Sequence, residues 1–164
     1  AEIYLAYTAA DGLEDKPLSY DIKTFTQVRK GEFLDIGGNG LSIYQNPPGK
    51  LPRYLDIRLQ IVESDQPLRD AAEIVKALNE NQGFKDIQKV LSTLATTATP
   101  MLSTVMDITG GVILLVGKLL EMNKDDQICY YAATFTDKFD NLGVGLHSHT
   151  KPNEVEFSYE ILSG

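Results

Sequence analysis

Met101 to Leu120 limits what this chain can fold into more than any other stretch, because twenty mostly apolar residues in a row must be covered by protein or by lipid. Leu102, Val105, Met106, Val112, Ile113, Val116, Leu119 and Leu120 recur at helical spacing. Ile108, Leu114 and Leu115 add apolar surface on other faces, so such a helix asks for burial nearly all round. The segment also holds Asp107, Lys118 and the pair Gly110-Gly111, and its uncharged run from Ile108 to Gly117 is only 10 residues. An aspartate at the centre of a membrane span costs about 2.5–3.5 kcal/mol. No stable transmembrane span is expected. A strand over Val112 to Val116 is the local alternative, since β-branched residues between glycines suit one too.

This segment closes a helical block, residues 64–123, set between two β-rich flanks. Ser64 and Asp65 are N-cap candidates before Pro67. Ala71, Ile74, Val75 and Leu78 form one stripe, with Arg69, Asp70, Glu73 and Lys76 outside it, and Gly83 is the expected stop. A second helix opens near Phe84 and buries Ile87, Val90, Leu91 and Leu94, and Pro100 separates it from the apolar segment.

In the N-terminal flank, Ile3, Leu5 and Tyr7 alternate with Tyr4, Ala6 and Thr8, a strand that ends at the Asp11-Gly12 turn. Tyr20 to Val28 reads as a second strand. Phe33–Ile36 and Leu41–Tyr44, joined by Gly37-Gly38-Asn39-Gly40, are expected to form a hairpin; a phosphate-binding loop would also use glycines, but without a following Lys-Ser/Thr and helix the hairpin turn is the better reading. Pro47-Pro48-Gly49 makes a stiff turn. Tyr54 to Val62 alternates most clearly, with Leu55, Ile57, Leu59 and Ile61 on one face and Asp56, Arg58 and Gln60 on the other. In the C-terminal flank, Ile128–Thr136, Leu142–Leu146 and Val155–Ile161 are strand-like, the last with Glu154, Glu156 and Glu160 outward. A charged turn, Asn123 to Asp126, precedes them, and Asp137 to Asn141 is expected to be a loop.

About eight strands with short turns point to a mostly β fold with an α insertion: an antiparallel β-sandwich interrupted by the helical block. The alternative is an α+β sheet with helices on one face. One domain, residues 1–164, is expected, with strands in 1–63 and 126–162.

A net charge of -8 with scattered Lys and Arg argues against nucleic acid and against direct attraction to anionic lipid. The single cysteine, Cys129, lies in a strand pattern and rules out an internal disulfide. The chain opens at Ala1, and no basic-then-apolar leader is visible.

Two constellations could carry chemistry. Acidic loops supply Asp11, Glu14 and Asp15, then Asp125 and Asp126, then Asp137 and Asp140. Calcium takes six to eight oxygen ligands, so Asp11, Asp15, Asp137 and Asp140 are candidate calcium ligands if the loops gather at one end of a sheet. Asp65 and Asp70 read instead as capping and surface charges. In plan, and in Asp137-Lys138-Phe139-Asp140 after a strand, the chain loosely resembles C2 domains, which implies calcium-dependent or calcium-independent binding of lipid or protein.

The second constellation is His147-Ser148-His149, the only histidines. Two residues apart on a strand they share a side, so both imidazoles could meet one transition-metal ion. With Ser158 downstream the run partly resembles the JAMM metalloprotease motif, which implies zinc-dependent isopeptide or peptide hydrolysis. Thr150 stands where that motif has proline, and Ile161 where its metal-binding aspartate falls. No Ser/His/Asp or Cys/His arrangement, Gly-x-Ser-x-Gly elbow or cofactor fingerprint is present.

The leading expectation is therefore a non-enzymatic binding or interaction module, taking a protein or lipid surface or calcium through its acidic loops. The alternatives are a membrane-active, toxin-like domain using residues 101–120, and a metal-dependent hydrolase at His147 and His149.

Overall fold

The computed structural model describes residues 1–64, 70–97, 101–121 and 126–163. The fold is α+β. Strands β1 (Glu2–Ala10), β2 (Leu18–Phe25), β3 (Tyr54–Ser64) and β4 (Gln127–Thr136) form an antiparallel sheet in the order β2-β1-β3-β4. Helices α1 (Ala71–Glu80), α2 (Gln82–Ala95) and α3 (Leu102–Leu119) cover one face. A separate hairpin, β5 (Gly145–Lys151) with β6 (Val155–Ile161), covers the other together with the segment that follows β2. A single helical turn, α4 (Asp137–Asp140), follows β4 where a loop is expected.

β1 and β3 are the central strands, so both of their faces are covered. Tyr4, Ala6 and Ala10 of β1, with Leu18 and Ile22 of β2 and Tyr54 and Val62 of β3, meet Ile74, Leu78, Phe84, Leu91, Val105, Val112 and Val116 of the helices. Each fully buried Val, Leu, Ile or Phe among them contributes about 1.5–3 kcal/mol. On the opposite face Ile3, Leu5, Tyr7, Ile61 and Cys129 meet Tyr131, Val155, Phe157 and residues 28–43.

Local signals explain the helix ends. The Asp70 carboxylate accepts from the Ala72 amide at 3.1 Å and caps α1, and the Asn81 side chain accepts from Phe84 at 3.1 Å and caps α2. Gly83 therefore lies in the first turn of α2 and stops nothing; Asn81 ends one helix and starts the next. Ser64 ends β3, while Asp65, Pro67, Pro100 and the turn Asn123–Asp125 lie outside the described residues.

Several expectations are corrected. Residues 33–36 and 41–44 are not strands: the Gly40 amide does donate to the Gly37 carbonyl at 3.1 Å, but the flanking segments lie apart from any ladder, with Leu34, Leu41 and Ile43 packed on the sheet instead. Six strands among the described residues, in a four-stranded sheet and a hairpin, replace the expected eight-stranded sandwich. The strand expected at Leu142–Leu146 starts at Gly145, because Leu142 (φ 53°) and Gly143 (φ 75°) form a tight 3-10 turn. Val112 to Val116 is helical, not extended.

The most informative correction concerns β3. Asp56, Arg58 and Gln60 do face opposite to Leu55, Ile57 and Ile61, yet all three are buried, beneath the helices. Arg58 holds Asp56 with two bonds, Nε to Oδ1 at 3.0 Å and Nη2 to Oδ2 at 3.2 Å. It also donates to the Met106 carbonyl of α3 at 3.0 Å and to the Tyr130 hydroxyl, and the Thr134 hydroxyl donates to Asp56 at 2.8 Å. A polar strand face thus becomes interior because its charges satisfy one another.

Helix α3 is long and apolar enough to cross a membrane by length and composition. Here it lies across the sheet. Val105, Thr109, Val112, Ile113 and Val116 point inward, and Asp107, Leu114 and Lys118 lie on the exposed side. The charges that argue against a span are on the water-facing stripe, although burial is one-sided and not the near-complete enclosure expected.

Candidate functional site

β2 and β4 are the two terminal strands of the sheet, and the β2 edge lies beside a groove. β2 is terminal in the sheet order, and among the described residues no strand pairs with its outer side. Alternate residues of an antiparallel strand direct their N–H and C=O toward opposite neighbours. Ala1 and Val28 exchange both backbone bonds, at 2.9 and 3.0 Å, which continues the odd-numbered residues of β1 as those bonded toward β2. On β2 the odd residues Ser19, Asp21, Lys23 and Phe25 stand opposite them. Tyr20, Ile22 and Thr24 therefore turn their backbone groups off the edge, and the Ile22 amide is met there only by the neighbouring Asp21 carboxylate, at 2.8 Å.

Along this edge runs a groove of about 650 Å³ between β2 and α1, lined by Asp21, Lys23 and Thr24 on one side and Ala71, Ala72, Val75 and Lys76 on the other. Its floor is fixed by packing. Ile74 and Leu78 of α1 are buried against the sheet, Tyr20 meets Phe84 edge-on at 4.7 Å, and the Tyr20 hydroxyl donates to Asn79. Asp21 and Lys23 pair at 3.2 Å on the face opposite the helices, each side chain more than two-fifths exposed. The Tyr7 hydroxyl donates to Asp21 at 3.3 Å, and burial with the nearby carboxylate pushes that phenol up to about 12.

A smaller cavity of about 290 Å³ lies across the sheet from this groove and shares Asp21 with it. Asp11 sits there, buried, accepting from the Leu13 amide and from the Tyr44 hydroxyl, both at 2.9 Å. Burial raises the Asp11 carboxyl above its ordinary value against the pull of those two bonds. The Tyr44 phenol rises too, first from burial and then from Asp11. The contact pins residues 42–47 to the β1–β2 turn.

The sequence-derived site residues fall as follows. Asp11 and the pair Asp137 and Asp140 lie at the same end of the sheet, since Asp11 follows β1, and Thr136 stands opposite Tyr54 where β3 begins. Asp11, Asp15 and Asp140 engage separate partners. Asp15 pairs with Lys50 at 2.5 Å, which holds its carboxyl below the usual range, and Asp140 accepts from the Thr136 amide at 3.2 Å. Among the described residues no three His, Cys, Asp or Glu side chains come together as a metal set.

His147 and His149 do point to one side, inward, into an aromatic layer. His147 stacks on Tyr159 at 4.9 Å and lies 5.0 Å from Phe135, while His149 lies 5.1 Å from Tyr131 and 5.4 Å from Phe157. His147 Nε2 donates to the Gly143 carbonyl at 2.6 Å, leaving Nδ1 as its open nitrogen. Ser158 pairs with Ser148 on the opposite face of the hairpin, away from both imidazoles. Cys129 is buried, and burial pushes its thiol up.

Sequence reasoning missed the β2 edge. The signal available was Asp21-Ile22-Lys23, opposite charges two apart on one face of a strand, but edge position depends on pairings that no local pattern encodes. No protein-family model, curated protein or solved structure matches the chain. Fold and groove together describe an α+β domain with an unpaired edge strand set beside a helix.

Proposed function

We propose that this protein is a non-enzymatic interaction module that binds an extended polypeptide segment along β2, in the groove beside α1. The observation that carries the reading is the unpaired outer edge of β2, where the Ile22 amide meets the neighbouring Asp21 carboxylate, alongside an open groove of about 650 Å³. Main-chain hydrogen bonds supply affinity in strand addition, and alternate side chains meet the flanking walls. Natural edges are usually blunted by proline, a bulge or a covering loop. β2 carries no proline; its blunting devices are the exposed Lys23 and the Asp21 carboxylate on the Ile22 amide, which an incoming carbonyl can displace.

The test is selection of a displayed library of random linear peptides on sparsely immobilised protein, comparing the natural chain with Thr24→Pro. Proline is tolerated where the strand N–H faces away from the sheet, so the fold is retained while one donor is lost. Peptides enriched on the natural chain and lost on Thr24→Pro support the reading. No enrichment over Thr24→Pro refutes it.

A further inference from the structure

We infer that the segment completing this edge is β2 of a second copy of the chain, the two strands running antiparallel about a two-fold axis at Ile22. The inference rests on the strand-addition reading and names its partner. A strand pairs with its own copy when its outward backbone groups and its charges are both self-complementary. The strand Leu18-Ser19-Tyr20-Asp21-Ile22-Lys23-Thr24-Phe25 meets both conditions at one register.

With Ile22 opposite the partner's Ile22, the two residues exchange both backbone bonds, and Tyr20 does the same with the partner's Thr24. These are the residues whose groups leave the edge. Asp21 then stands opposite the partner's Lys23, and Lys23 opposite the partner's Asp21. They fall at the non-hydrogen-bonded pairs, where side chains come closest. Sliding the copy by two residues in either direction sets Asp21 against the partner's Asp21, or Lys23 against the partner's Lys23. Charge therefore selects the single register.

Within one chain Asp21 and Lys23 already meet at 3.2 Å with both side chains well exposed, so the exchange needs only their rotation and frees the Ile22 amide for the copy. On the helical face the groove beside the seam is lined by Asp70, Ala71, Ala72, Val75, Lys76 and Asn79. The result is one continuous eight-stranded sheet built from two four-stranded halves.

Sedimentation velocity over a concentration series tests this on the natural chain, D21K, K23D, the double variant D21K/K23D, and an equal mixture of the two single variants. Circular dichroism checks that each is folded. The natural chain is expected to dimerise, and each single variant, which sets like charges opposite at two places, to dimerise on the order of tenfold more weakly or worse. The double variant regains the natural constant, and the mixture forms a heterodimer visible by native mass spectrometry. A natural chain that is monomeric throughout, or single variants that dimerise as the natural chain does, or a mixture without heterodimer, overturns the inference. A monomer that still captures library peptides rejects only the second copy; a monomer that captures none rejects strand addition as well.

Discussion

Replacing Arg58 with methionine removes the cation from the buried layer between β3 and α3 while keeping most of its volume. Asp56 is fully buried and the Arg58 side chain is 7% exposed, so solvent screening gives little relief. The substitution deletes both bonds to Asp56 and those to Met106 and Tyr130, and leaves a carboxylate whose one other side-chain partner here is the Thr134 hydroxyl. Breaking a buried pair from one side costs about 3–5 kcal/mol. For a chain of this size that corresponds to a fall in Tm of roughly 6–20 °C. Urea unfolding followed by circular dichroism measures the loss, and the m-value shows whether the native state has loosened. The double variant D56L/R58M removes both charges and is expected to recover most of the stability, because buried ion pairs are often replaceable by apolar groups. A loss below about 1 kcal/mol for R58M, the value of an exposed pair, or a double variant as unstable as the single one, refutes the claim that the two charges are buried and mutually dependent.

Further outcomes follow from other contacts. Gly143→Ala is expected to destabilise the hairpin face by about 2 kcal/mol or more, since an added Cβ would lie 2.6 Å from the Phe135 ring at a φ of 75°; thermal unfolding measures it, and an unchanged Tm contradicts the packing. The raised Asp11 carboxyl contributes stability that is fully present below its unfolded value and is lost as pH rises through its folded value. The stability of the natural chain relative to Asp11→Asn should therefore increase on acidification through that window, and urea titrations showing the opposite slope would sink the assignment. At the alkaline end, Tyr7 and Tyr54, both raised to about 12, favour the fold below the ordinary tyrosine value, and that contribution falls away as pH climbs toward 12. Ultraviolet titration should show these phenols ionising late and together with unfolding; early ionisation contradicts their burial. Dye-loaded vesicles should stay intact with the protein at neutral and acidic pH, because α3 buries one face against the sheet and turns Asp107 outward; leakage would favour the membrane-active alternative.

Much of the secondary structure was legible because periodicity reports burial on one side of an element. Ile74 and Leu78, Phe84 and Leu91, and Val105, Val112 and Val116 give the three helices, whereas β1, legible as a strand, is buried on both faces, with Tyr4, Ala6 and Thr8 as enclosed as Ile3, Leu5 and Tyr7. The same rule misled at β3. Asp56, Arg58 and Gln60 look like a solvent face to any reading that scores residues singly, and only their bonds to Arg58, Thr134 and Gln127 make that face interior. The Gly37–Gly40 turn was legible, but its flanks pack by side chain and not by ladder, a distinction that residue types do not encode. The histidines share a side as their spacing requires; the aromatic surroundings that occupy them come from β4 and β6, far along the chain. The candidate site was the least legible part, because an open edge is a property of strand order.

Amide hydrogen exchange along β2, read residue by residue over a range of protein concentration, tests most directly whether that edge is the working surface. Exchange at Tyr20, Ile22 and Thr24 is expected to be fast in dilute protein and to slow as concentration rises, while Ser19, Asp21 and Lys23, bonded to β1, stay protected throughout. Exchange at the three outward amides that stays fast at every concentration, and also in the presence of selected peptides, would contradict the account.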